Sequence, residues 1–107
     1  MTFEIVYTDR ARCHLQEAVD WIAERSPQAA KNWIAQLTEA VDSLRQNPER
    51  FGFAPENATH QIEIHQMHFG KRRGQYRILF TIDHQRVAIL DVRHSMRTWL
   101  EPGELDE

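Results

Sequence analysis

The apolar residues of this chain switch between two periods, and that switch restricts the fold more than any other feature. They alternate from Phe3 to Tyr7, recur at helical spacing from Ala11 to Leu44, and alternate again from Ile62. A chain patterned this way must build a sheet and a helical layer and bury one against the other, which confines it to a layered α+β design. The helical part is itself broken. Ala11, Leu15, Ala18 and Ile22, widened by Val19 and Trp21, form a stripe that stops at Arg25-Ser26-Pro27. A second stripe, Ala30, Trp33, Leu37, Ala40, Val41 and Leu44, stops at Asn47-Pro48. Thr8 or Asp9 can cap the first helix, and Ser26 followed by Pro27 can open the second, because proline at the first helical position gives up an amide hydrogen that lacked a partner anyway. So few residues join the stripes that an antiparallel helical hairpin follows.

The strands have their own logic. Phe3, Ile5 and Tyr7 give the opening strand one apolar face. Residues 49 to 60 have no clean period and read as a connection. Ile62 and Ile64 then alternate with Glu63 and His65 in a strand expected to run to Phe69, and Gly70 to Gly74 form a basic turn. Tyr76, Ile78, Phe80 and Ile82 share the face expected to meet the helices; Arg77, Leu79 and Thr81 share the other. After a turn at Asp83-His84-Gln85, Arg86 to Arg93 carries apolar side chains on both faces, as a central strand does. The expected fold is an N-terminal strand and an antiparallel helical hairpin packed on a mostly antiparallel sheet. At 107 residues, 41% hydrophobic and 27% charged, the chain has material for one soluble domain and not two. That domain is placed at residues 1–100, and 101–107, with four acids, one proline and one glycine, is expected to be a frayed acidic tail.

No apolar run is long enough to span a membrane, and the opening Met1-Thr2-Phe3-Glu4 lacks the basic stretch and apolar core of an export signal, so a cytoplasmic location is expected. Cys13 stands alone and cannot form an internal disulfide. A net charge of -3 speaks against a protein that coats nucleic acid, but its distribution is uneven. Residues 70–97 hold seven Lys or Arg against two acids, a segment of +5 in a remainder of -8, which suits a local site for phosphate or an acidic partner.

Several segments in their order resemble the RelE/ParE superfamily of toxins from type II toxin-antitoxin, or plasmid stabilisation, systems. Ser26-Pro27-Gln28-Ala29-Ala30, followed by Trp33, Leu37, Leu44 and Asn47-Pro48, is similar to that family's second helix. Gln75-Tyr76-Arg77-Ile78-Leu79-Phe80 is similar to its aromatic-arginine strand, and Val87 to Arg97 to its last strand and basic end. The resemblance implies a toxin held inactive by a cognate protein antitoxin. It also implies one of two actions: translation inhibition by a ribosome-dependent mRNA endoribonuclease, as in RelE-like members, or DNA gyrase inhibition, as in ParE-like members. A member that only binds its antitoxin is the third reading.

RNA cleavage through the ribose 2'-hydroxyl requires a base, positive charge on the phosphate and a proton for the leaving oxygen. The resemblance implies that Arg77 is the arginine that contacts phosphate in nuclease members; the alternative is a solvated strand arginine. Arg93, His94 and Arg97 lie where the last strand ends, with His94 as the candidate base, although the chain has no tyrosine at this end as nuclease relatives do. Lys71, Arg72 and Arg73 extend the positive surface toward a polyanion as substrate-binding candidates. Glu63 reads as a carboxylate base or, more simply, a cross-strand salt-bridge partner. The histidines do not form a ligand set, since His65 and His68 face opposite sides of a strand and His14 is remote in sequence, and no metal or organic cofactor is expected. Trp33 fits the core by its spacing, Trp21 reaches toward a partner, and Trp99 with Leu100 either packs back on the sheet or is covered by the antitoxin.

Overall fold

The computed structural model describes residues 2–70 and 75–95. Strand β1 (Glu4–Tyr7) passes through Thr8 into helix α1 (Asp9–Arg25), and Ser26 alone separates α1 from α2 (Pro27–Asp42). Ser26 serves both helices. Its N–H donates to Ile22 O and closes α1, while its Oγ accepts from Ala29 N–H and opens α2. Thr8 also has two tasks: its Oγ accepts from Ala11 N–H at 3.1 Å to cap α1, and lies 3.0 Å from Ile89 O as a donor, tying the helix start to the last strand. Short 3-10 turns at Ser43–Arg45, Pro48–Arg50 and Pro55–Ala58 carry the chain to β2 (His65–Phe69), β3 (Tyr76–Asp83) and β4 (Arg86–His94). None of the described helices is long and apolar enough to cross a membrane.

The sheet order is β1-β4-β3-β2. β4 runs parallel to β1 and antiparallel to β3, and β3 runs antiparallel to β2, so the sheet is mixed and β4 is internal, as its two apolar faces required. Tyr76, Ile78, Phe80 and Ile82 do face the helices: Ile78, Phe80, Val87, Ile89 and Val92 pack with Ala11, Leu37, Val41 and Leu44, and Tyr76 and Ile82 flank them. Trp33 belongs to this core, edge-on to Phe69 and Tyr76. Trp21 does not; it is 56% exposed, with the Arg25 guanidinium 3.6 Å from its ring.

The other sheet face is also covered, and one sequence expectation is corrected there. The strand expected from Ile62 begins only at His65. Ile64 instead pairs back onto the connection, its N–H donating to Asn57 Oδ1 and its carbonyl accepting from Ala54 N–H, so its side chain joins Ala54, Leu79 and Leu90 in a second small core. The connection is therefore no open loop; it lies over the sheet. A register shift after Leu79 leaves Leu90 unopposed, with Leu79 facing Asp91 and Phe80 facing Ile89, so Leu90 and Asp91 both turn toward this second face. Trp99, Leu100 and the tail 101–107 lie outside the described residues.

Candidate functional site

Arg77 sits on the strand face expected for it, but not in solvent. It is 5% exposed, and its guanidinium grips both oxygens of Glu56 at 2.8 and 2.7 Å, with Gln66 Oε1 at 3.2 Å. Glu56 comes from the 3-10 turn at Pro55–Ala58 and is itself buried, so the covering segment brings the counter-charge with it. A forked arginine-carboxylate pair has already spent the geometry that would grip a phosphate. Arg93 stands directly across from Arg77 and is equally buried. Two cations in that relation repel; Glu56 beside one and Asp91, 3.7 Å from the other, offset the repulsion.

Asp91 is the centre of a second cluster. Fully buried in β4, it accepts from Val92 N–H at 2.8 Å and Arg10 Nε at 3.2 Å, and lies 2.6 Å from His14 Nδ1. Arg10 and His14 are one turn apart on α1, so both reach the same carboxylate. With Asp91 acting as acceptor to an arginine and an amide, His14 Nδ1 is the donor in the third contact, and Nε2 lies on the far side of the ring.

His94 is elsewhere. It pairs with Tyr76, shares the helix-facing side of the sheet and meets the Tyr76 ring edge-on at 5.0 Å. Arg77 and Arg93 occupy the opposite side, so the sheet stands between the expected base and the expected phosphate ligands. Burial raises the Tyr76 hydroxyl pKa above its ordinary 10.0. Lys71, Arg72, Arg73 and Arg97 lie outside the described residues. Glu63 is exposed and precedes β2, so it has no cross-strand neighbour in that strand. His65 turns toward the helices and stacks on Phe80, whereas His68 faces the other way, opposite Arg77. Among the described residues no three His, Cys, Asp or Glu side chains are grouped to hold a metal ion.

Three residues that matter here, Asp91, Glu56 and His14, were not given these roles by sequence reasoning. A signal existed for the first: a lone aspartate inside the apolar run Val87 to Val92 must find donors if its strand is internal. The four-residue spacing from Arg10 to His14 was a weaker one. Glu56 had none, because nothing in an aperiodic connection says which carboxylate will be folded inward.

The geometry has relatives. A family model described as the ParE toxin of the type II toxin-antitoxin system, parDE, matches residues 5–99. No curated protein matches the chain significantly. Among solved structures, a chain of the chromosomal ParDE TA system from P. aeruginosa is similar, covering 87% of this chain and 96% of its own with a TM-score of 0.67 at 14% identity. That likeness shows a shared fold of two helices on a four-stranded mixed sheet. Because the family model also runs from β1 past the end of β4, the chain belongs to the ParE toxin family of type II toxin-antitoxin systems.

Proposed function

We propose that this toxin arrests growth by binding and inhibiting DNA gyrase, as the ParE branch of the resemblance implies, and that its antitoxin prevents the encounter. Membership of the family implies the antitoxin; the gyrase target is the proposal. One observation supports binding over catalysis at the site expected from sequence: Arg77 and His94 lie on opposite faces of the sheet, and Arg77 is locked onto Glu56. Arg77 and Arg93 then serve by holding the covering segment and α1 in place. The cations proposed to meet the target are Lys71, Arg72, Arg73 and Arg97, from the +5 stretch. Exposed Trp21 is a proposed contact for the antitoxin, since a half-exposed tryptophan backed by arginine is a common interface anchor.

The test is supercoiling by purified gyrase with the purified chain titrated in, alone and with the product of a neighbouring antitoxin gene. Inhibition near one toxin per gyrase active unit, relieved by the antitoxin, is expected. Unimpeded supercoiling alongside arrested translation would overturn the reading in favour of an mRNA-directed toxin.

A further inference from the structure

We propose that the chain's own C-terminal segment docks on a shelf of aromatic rings at one end of the sheet, seating Trp99 and Leu100 between α2 and the start of β3. The shelf is then closed from within and is not an antitoxin contact. It is built from Trp33, Phe69, Tyr76 and His94. Trp33 is the side chain by which α2 reaches this end of the sheet, edge-on to Phe69 at 5.9 Å and to Tyr76 at 5.2 Å, and Tyr76 meets His94 edge-on at 5.0 Å. An edge-to-face contact covers one face of one ring in each pair and leaves room for a further apolar group. Burial agrees with this. Ile78, Phe80 and Ile89, in the middle of the same sheet face, are fully buried, whereas all four rings of the shelf are half-buried. The helix-facing core is sealed at its centre and open at this end.

The occupant follows from where the described chain stops. His94 pairs with Tyr76, and Ser95 N–H donates to Gln75 O at 2.9 Å, so residues 96–107 start beside the shelf. Ser95 stands in a turn, and its Oγ is buried with no hydrogen-bond partner among the described residues. A serine hydroxyl so placed is satisfied by a backbone N–H a short way on, which bends the chain back on itself. From Ser95 to Trp99 an extended chain spans up to about 13 Å, enough to cross from one ring of the shelf to the next. Trp99-Leu100 is the one adjacent apolar pair in the segment. The acids that follow, Glu101, Glu104, Asp106 and Glu107, do not fit an apolar shelf, and Pro102-Gly103 supplies the turn that leads them away. Tethered this closely, the pair has an effective concentration at the shelf on the order of millimolar, which a separate protein does not match. Exposed Trp21 on α1 remains for the antitoxin.

The full chain is to be labelled with fluorotryptophan and its fluorine resonances assigned by Trp21→Phe, Trp33→Phe and Trp99→Phe replacement. In the monomer without antitoxin, the Trp99 resonance should lie away from its position in urea and respond little to exchange of water for heavy water, as a ring removed from solvent does. Tyr76→Leu, on the shelf, should move that resonance, and Phe53→Leu, at the exposed edge beside β2, should not. Trp99→Ala should lower the ratio of folded to unfolded chain about 10-fold or more in a urea titration while keeping its far-UV dichroism. If Tyr76→Leu fails to fold, Phe69→Leu replaces it. A Trp99 resonance at its unfolded position in the monomer overturns the proposal. So does a shift that appears only with added antitoxin or only where the chain self-associates, and so does a Trp99 resonance indifferent to the shelf replacement. None of these outcomes bears on the gyrase reading, which the supercoiling assay decides alone.

Discussion

Arg77 and Glu56 lie 21 residues apart and meet with two hydrogen bonds in a place neither could occupy alone. Removing one partner leaves the other charge buried and unmatched, a cost of about 3–5 kcal/mol, far above the loss of a surface ion pair. Arg77→Ala should therefore shift the urea midpoint strongly, and Glu56→Ala should do likewise. The double replacement Glu56→Gln with Arg77→Met removes both charges and should recover much of the loss in a double-mutant cycle; additive losses would show that the pair is not coupled. The alternation of β3 told which way Arg77 points. It could not tell what covers that side, because the cover comes from residues 53–64, whose sequence has no period to read.

At the scale of elements, sequence and structure agree best where local chemistry sets the boundary. Ser26-Pro27 needs nothing from the rest of the chain to end one helix and begin the next. The start of β2 does: Ile62 and Ile64 alternate as a strand would, but Asn57 and Ala54 capture Ile64 before β3 can. Thr8 shows how a cap can do more than cap. Ser26→Ala should cost about 1 kcal/mol, the ordinary value of an N-cap side chain. Thr8→Val should cost more, since it also removes the hydroxyl's contacts to the Ile89 and Leu90 carbonyls, leaving Ile89 O with the Thr8 N–H alone as its Thr8 donor. Chemical denaturation of the two variants side by side checks the order; a larger loss at Ser26 would mean that the tether from α1 to β4 adds nothing.

Across the whole molecule the two tyrosines are expected to weaken the fold at alkaline pH. Burial raises the pKa of Tyr76; at Tyr7 burial and Asp42 raise it while Arg45 opposes them. Because the folded value lies above the unfolded one in both, the folded state favours the neutral phenol. Their contribution is fully present below the ordinary value of 10.0 and is lost as pH rises through the higher folded values. Urea midpoints should thus fall above about pH 10, and Tyr76→Phe should flatten that fall; an unchanged profile would assign the alkaline limit to other groups. The expected cation site was less legible than the fold for a related reason. Composition gave the +5 stretch, but which arginines are spent internally depends on Glu56 and Asp91 reaching them through the tertiary fold. The parallel pairing of β1 with β4 has a further consequence for a toxin-family protein with an antitoxin partner. A nascent chain ending short of Arg86 lacks the strand that joins β1 to the rest of the sheet, so its helices have only part of a surface to pack on. Such long-range pairing also forms slowly. Prematurely terminated products would then be harmless fragments, and a newly released toxin would pass through an interval, before its sheet closes, in which an antitoxin already present can reach it first.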